Sequence, residues 1–226
     1  MDNPWLKITK GNVKIATCDI PFFNKGGSFA AYIKKKQKVK LTFECLPDPF
    51  CGSPDSKVYC LNKNPGKPDP CFKGETAFEN ATLDNMQLKA ATCFWAEKFP
   101  NKCGKLHDGV TWLKKRTMQL ESILGRHPNI FFIEYFPYHS TNGFSFPKDL
   151  PSYAFTNELI IQAMSQNKLI ILMREKKNWL NRIKDLDKYP LLVYLKENRG
   201  GYLTTRNLVW NQSGKFLTDD DIHMYF

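Results

Sequence analysis

Four short segments carry the residue types from which chemistry could be built. In Asn62-Lys63-Asn64-Pro65-Gly66, Pro65 fixes its own φ and biases Asn64 toward extended backbone, while Gly66 permits a sharp turn. Asn64 is thereby presented with an amide that can hold a water or a polar group of a substrate; the plainer alternative is an ordinary Asn-Pro-Gly turn. In Glu134-Tyr135-Phe136-Pro137-Tyr138-His139, a carboxylate closes an otherwise apolar run, a costly position unless the group is paired or used. Tyr135, Phe136 and Tyr138 offer faces on which a base could stack. Alternatively Glu134 caps a helix or pairs with a basic residue, and His139 bonds to backbone. Arg174-Glu175-Lys176-Lys177 stands near a helix start, where backbone N–H groups and added cations suit a phosphate. In Lys196-Glu197-Asn198-Arg199-Gly200-Gly201-Tyr202-Leu203, Gly200 and Gly201 let a backbone approach a ligand closely, and Arg199 and Tyr202 could enter a duplex or touch phosphate. The alternative there is a glycine-rich loop with solvated charges.

Each of these segments follows an apolar run that reads as a strand. The runs are Lys57–Leu61, Asn129–Tyr135, Leu169–Met173 and Leu191–Leu195, and the second is apolar on both faces, as a central parallel strand is. Between them lie helical patterns. One is around 80–98, with Leu83, Gln87, Ala90 and Phe94 on one face. Another, about 107–124, carries Val110, Leu113, Thr117, Leu120 and Leu124. Two more span about 152–166 and 176–187. Strands joined by helices predict an α/β fold: a three-layer, four-stranded parallel sheet with helices on both faces and ligands beyond the carboxyl ends of the strands. Residues 1–56 read as an irregular lead-in with one strand at Val39–Cys45, 57–210 as the core and 211–226 as a surface tail, all within one domain.

The chain has 226 residues, 42% hydrophobic and 14% aromatic, which excludes intrinsic disorder. No apolar run approaches a membrane span, and Met1-Asp2-Asn3-Pro4-Trp5 does not read as a secretory leader. The 33 Lys and Arg against 22 Asp and Glu leave a net charge of +11, which points to an acidic partner, nucleic acid first. The densest basic run is Lys34, Lys35, Lys36, Lys38 and Lys40; a solvated face explains each basic run singly. Seven cysteines with no Cys-x-x-Cys predict scattered thiols, no disulfide framework and a reducing cytoplasm. Cys45, Cys51, Cys60 and Cys71, spaced six, nine and eleven apart, match no common metal site, so neither metal nor cofactor is expected.

Taken together, the strand order and the rims resemble the uracil-DNA glycosylase superfamily over about 57–210. Asn64-Pro65-Gly66 is similar to the first motif of its mismatch-specific and single-strand-selective branches. Asn198-Arg199-Gly200-Gly201-Tyr202-Leu203 is similar to the second motif, with Arg199 and Gly200 in place of Pro-Ser. Pro137-Tyr138-His139 also echoes the uracil-specific branch, but Phe136 would then replace the catalytic aspartate, so that register is rejected. The iron–sulfur branch lacks its Cys-x-x-Cys here. The resemblance implies a monomer that hydrolyses the N-glycosidic bond of an extruded base in DNA. Asn64 would hold the water, with Asn198 as a second catalytic residue. Pro65, Gly66, Phe72, Phe78, Glu134, Tyr135, Gly200 and Gly201 would contact the base or its sugar, with Phe72 or Phe78 as the stacking ring. Arg174, Lys176, Arg199 and Tyr202 would hold the backbone. Glu134 replaces an amide, and as an anion it accepts hydrogen bonds only, which suits a base presenting N–H groups better than uracil. Two other classes remain open: an inactive glycosylase scaffold that grips nucleic acid or protein, and an unrelated α/β enzyme. The latter would lack the Gly-x-Ser-x-Gly, Gly-x-Gly-x-x-Gly and phosphate-loop motifs.

Overall fold

The four apolar runs become the inner strands of a sheet whose register sets up everything at its rim. The computed structural model describes residues 2–9, 14–24, 41–93, 103–141 and 146–226. In chain order the elements are α1 (Ile20–Phe23), β1 (Leu41–Thr42), β2 (Phe50–Cys51), β3 (Val58–Leu61), α2 (Thr76–Met86), α3 (Asp108–Leu124), β4 (Ile130–Ile133), β5 (His139–Ser140), α4 (Tyr153–Ser165), β6 (Leu169–Leu172), α5 (Lys176–Arg182), β7 (Leu192–Leu195), β8 (Leu208–Trp210) and α6 (Asp219–Tyr225). The main sheet runs β2-β4-β3-β6-β7-β8. β4, β3, β6 and β7 are parallel, as expected, while β2 and β8 add antiparallel edges. The sheet is therefore mixed and six-stranded rather than four-stranded. The edges are two and three residues long, too short to show a period-two pattern in the sequence.

Alternation along the strands divides the interior. Tyr59, Leu61, Phe131, Ile133, Ile170 and Leu172 face one core with α4, Trp179 of α5 and the N-terminal Trp5 and Ile8. Val58, Cys60, Ile130, Phe132, Leu169 and Ile171 face the other with Leu113 and Leu120 of α3 and Ile222 of α6. Buried on both faces, the strands must read as unbroken apolar runs, which is why they were legible.

Caps set the helix ends near the rim. His107 Nδ1 accepts from Gly109 N at 3.0 Å at the start of α3, and Gly125 ends it in the left-handed region at φ 67°. The tail is more ordered than a surface segment: Thr218 and Asp221 form a capping box and α6 packs on α3. The lead-in is also anchored. Buried Asp19 accepts from Tyr138 Oη at 2.7 Å and from Ser152 N at 2.8 Å.

Other boundaries shift. The strand at Val39–Cys45 shrinks to β1 in its described part, and the helix around 80–98 ends at Met86, with 94–98 outside the described residues. The helix at 176–187 splits into α5 and a 3-10 turn at Leu186–Lys188. The lysine run at 34–40 also lies outside the described residues. Cys71 and Cys103 form a disulfide, contrary to the expectation of free thiols; the other five cysteines are free. Among the described residues no helix is long and apolar enough to cross a membrane, and no group of three His, Cys, Asp or Glu side chains could hold a metal ion.

Candidate functional site

Register brings the rim residues together. Leu61 pairs with Ile133 on one side and Leu172 on the other, so Asn62 and Glu134 leave adjacent strands at the same level and Arg174 follows one residue further along the third. They line a cavity of about 400 Å³ together with Asn64, His139 and Asp48. The facing wall is apolar and aromatic: Phe50, Phe132, Trp112, Leu113 and the ring of His107. This is the position where parallel sheets bind ligands.

The turn after β3 is held from several sides. Asn62 N donates to Ile133 O at 2.8 Å, and Trp179 Nε1 donates to Asn62 O at 2.9 Å. Gly66 turns with φ 78°, and its carbonyl accepts from Ser140 N at 2.9 Å and lies 3.2 Å from His139 Nδ1. His139 thus takes the backbone role, and burial pushes its pKa down to about 4, so the ring is neutral at pH 7. Half-buried Asn64 donates from Nδ2 to Ser140 Oγ at 3.0 Å, and its Oδ1 has no protein donor among the described residues. One end of the amide is fixed and the other is left to the cavity.

The acids form the unusual part of the floor. Asn62 Nδ2 donates to Glu134 Oε1 at 2.9 Å. Glu134 Oε2, Asp48 Oδ1 and Asn62 Oδ1 are all buried with no hydrogen-bond partner among the described residues. Burial first, then the charge of Asp48, raises the Glu134 pKa to about 8, against smaller opposing effects of Asn62 and Arg174. Burial alone raises Asp48 to about 7. Arg174 makes no ion pair among the described residues, whereas Lys63 is neutralised by Glu175 at 3.0 Å.

The structure thus brings Asn64, Pro65, Gly66, Glu134 and Arg174 to one cavity. It does not bring the others there. Tyr135 is buried in a cluster with Tyr153, Trp179 and Arg182, whose guanidinium carbon lies 4.2 Å from each of the three ring centroids. Phe72 is buried beneath His107, with Phe78 against both; neither lines the cavity, and His107 is the ring that reaches it. Lys176 lies over the Tyr194 ring at 3.5 Å. Asn198, Arg199 and Tyr202 are exposed, Gly200 is half-buried and Gly201 buried, and all five lie outside the cavity lining. That loop is braced by Asn207, whose side chain bonds Glu197 N, Glu197 O and Tyr202 O, and Arg116 sits between the Trp112 and Tyr202 rings at 4.9 and 5.3 Å.

Asp48, Asn62, His107 and Trp112 were missed by sequence reasoning. Asp48 sits between Pro47 and Pro49 and reads as a turn; Asn62, one place beyond the strand, offered the only positional signal. Compared with known proteins, the chain matches no family model, no curated protein and no solved structure.

Proposed function

We propose that the chain is a DNA glycosylase that hydrolyses the N-glycosidic bond of a non-standard or damaged base. The observation that carries this reading is Asn64, held by Ser140 at the rim of a cavity that also contains Glu134 and Arg174. The cavity admits a planar base between Trp112 and Phe132 on one side and the strand ends on the other. Asn64 Oδ1 accepts from a water directed at C1′ of the deoxyribose. The water oxygen bonds C1′ as the N–C1′ bond breaks with its electron pair to the base, and the proton that water loses passes to solvent or to the departing base. Asn64 positions and does not deprotonate, so turnover is slow. Arg174, a cavity cation with no ion pair among the described residues, suits the flanking phosphate, with Arg199 and Tyr202 farther out along the strand. The order of the parallel strands, with the first strand inside the second and third, supports the same reading.

A second reading draws on Asn198: exposed and away from the cavity, it leaves Asn64 without a second catalytic partner. A scaffold of this kind that only grips nucleic acid or protein accounts for that placement. The test is release of free base from oligonucleotides carrying uracil, hypoxanthine, xanthine or ethenocytosine, read by alkaline cleavage at the abasic site. Asn64→Ala is expected to lose roughly a hundredfold in release with DNA binding nearly intact. Release undiminished in the variant places the water elsewhere; no release from any substrate, with DNA bound, selects the second reading.

A further inference from the structure

The cavity floor carries polar oxygens without partners among the described residues. Asp48 Oδ1, Asn62 Oδ1 and Glu134 Oε2 are buried and unpartnered among the described residues, while all three residues line the same cavity. Buried polar atoms are rarely left unpaired unless something else supplies the partner. Asn62 has already committed its two donors' side: Nδ2 faces Glu134 Oε1 at 2.9 Å, which turns Oδ1 the other way. Asp48 makes no side-chain hydrogen bond or ion pair among the described residues. Two carboxyls and an amide fall short of the six to eight oxygens of a Ca²⁺ cage. The aromatic wall of Trp112, Phe132 and His107 favours a flat organic group instead.

We propose that Asp48, Asn62 and Glu134 select a nucleobase with an amidine edge, an exocyclic amine beside a ring nitrogen as in cytosine and adenine, over an imide such as uracil. This rests on the glycosylase reading only in taking the ligand to be a base. An amine N–H donates to one floor oxygen. The adjacent ring nitrogen accepts from a protonated carboxyl, the form that a close pair of acids retains. An imide presents one N–H flanked by two carbonyl oxygens; the protonated carboxyl can donate to one of them, but the other is left against Asn62 Oδ1, acceptor against acceptor. Sites built this way reject the wrong edge strongly, because the mismatch leaves buried groups unpaired on both sides. Arg174, which opposes the acids from the third strand, forms no ion pair with either among the described residues and so leaves their oxygens to the ligand.

The experiment is calorimetric titration of the full chain with free cytosine, adenine, uracil and thymine, repeated on Glu134→Gln and Asp48→Asn. Cytosine and adenine are expected to bind the wild type at least tenfold more tightly than uracil and thymine, and Glu134→Gln to bring the ratio within about twofold. Uracil binding as tightly as cytosine overturns the proposal, as does an unchanged ratio in both variants or no binding of any base at millimolar concentration. If the variants fail to fold, the wild-type ratio decides alone. Release of uracil that depends on Asn64 would sustain the glycosylase reading while sinking this one. Tight cytosine binding without release of any base would do the reverse.

Discussion

Glu134→Gln should change how stability depends on pH. The Glu134 carboxyl is raised from 4.5 to about 8 by burial and by Asp48, and Asp48 is raised from 3.8 to about 7 by burial. Both folded values lie above the unfolded ones, so between them the folded chain binds more protons than the unfolded chain. Stability from this pair is complete on the acid side and is lost as pH rises through the folded values. From pH 6 to pH 8, an isolated Glu134 with these values costs about 2 kcal/mol and Asp48 about 1 kcal/mol, treating the two independently. The wild type should thus lose roughly 3–4 kcal/mol across that interval, and the variant about 1 kcal/mol or less. Glutamine is close in shape; it can accept from Asn62 Nδ2 through Oε1 and turn its NH₂ toward Asp48, stabilising the remaining carboxylate. The measurement is urea unfolding at pH 6, 7 and 8, followed by fluorescence of the five tryptophans. Comparing slopes of stability against pH cancels the other titrating groups, which both proteins share. Parallel curves for wild type and variant would refute the reasoning, since they would mean that Glu134 is ionised and solvated in the folded chain.

Three further outcomes are expected. Gly52 has φ +105°, and a Cβ there would meet Ile130 O at 2.5 Å in the adjacent strand, so Gly52→Ala should cost about 2–4 kcal/mol in urea midpoint analysis; a loss below 1 kcal/mol would show that β2 can shift away. Reducing the Cys71–Cys103 bridge, which closes a separation of 32 residues, should lower stability by about 3 kcal/mol by loop entropy, measured as a fall in Tm with a phosphine reductant; an unchanged Tm would mean that the bridge is not formed in solution. Binding to a short DNA duplex should weaken steeply with salt because of the +11 charge, and Arg174→Ala should reduce the log–log slope by about one; salt-independent binding would rule out phosphate contacts.

The inner strands could be read because burial on both faces demands unbroken apolar runs, and three residues singled out at their ends, Asn64, Glu134 and Arg174, line one cavity. The aromatic assignments failed for a general reason. Residue type does not say which way a ring faces, and Tyr135 and Phe72 turn into packed clusters rather than toward the rim. Asp48 was illegible because its role depends on β2 pairing with β4, a contact between segments some eighty residues apart in the chain. The disulfide was missed for a similar reason: its partners lie in separate loops with no motif spacing between them.

The sheet also acts as a partition. Residues that alternate along one strand belong to different cores, with Leu61 and Ile133 on one side and Cys60 and Phe132 on the other. Substitutions across the sheet share few neighbours and should combine additively, while those on one side should couple. Phe132, Leu113 and Cys93, which shape the apolar wall of the cavity, lie on the side away from Trp5, Ala16 and the Asp19 anchor. The part of the wall built from these residues can therefore vary in size and contour without disturbing how the N-terminal segment is held, whereas Phe50, the wall residue in the other core, is tied to that segment's packing.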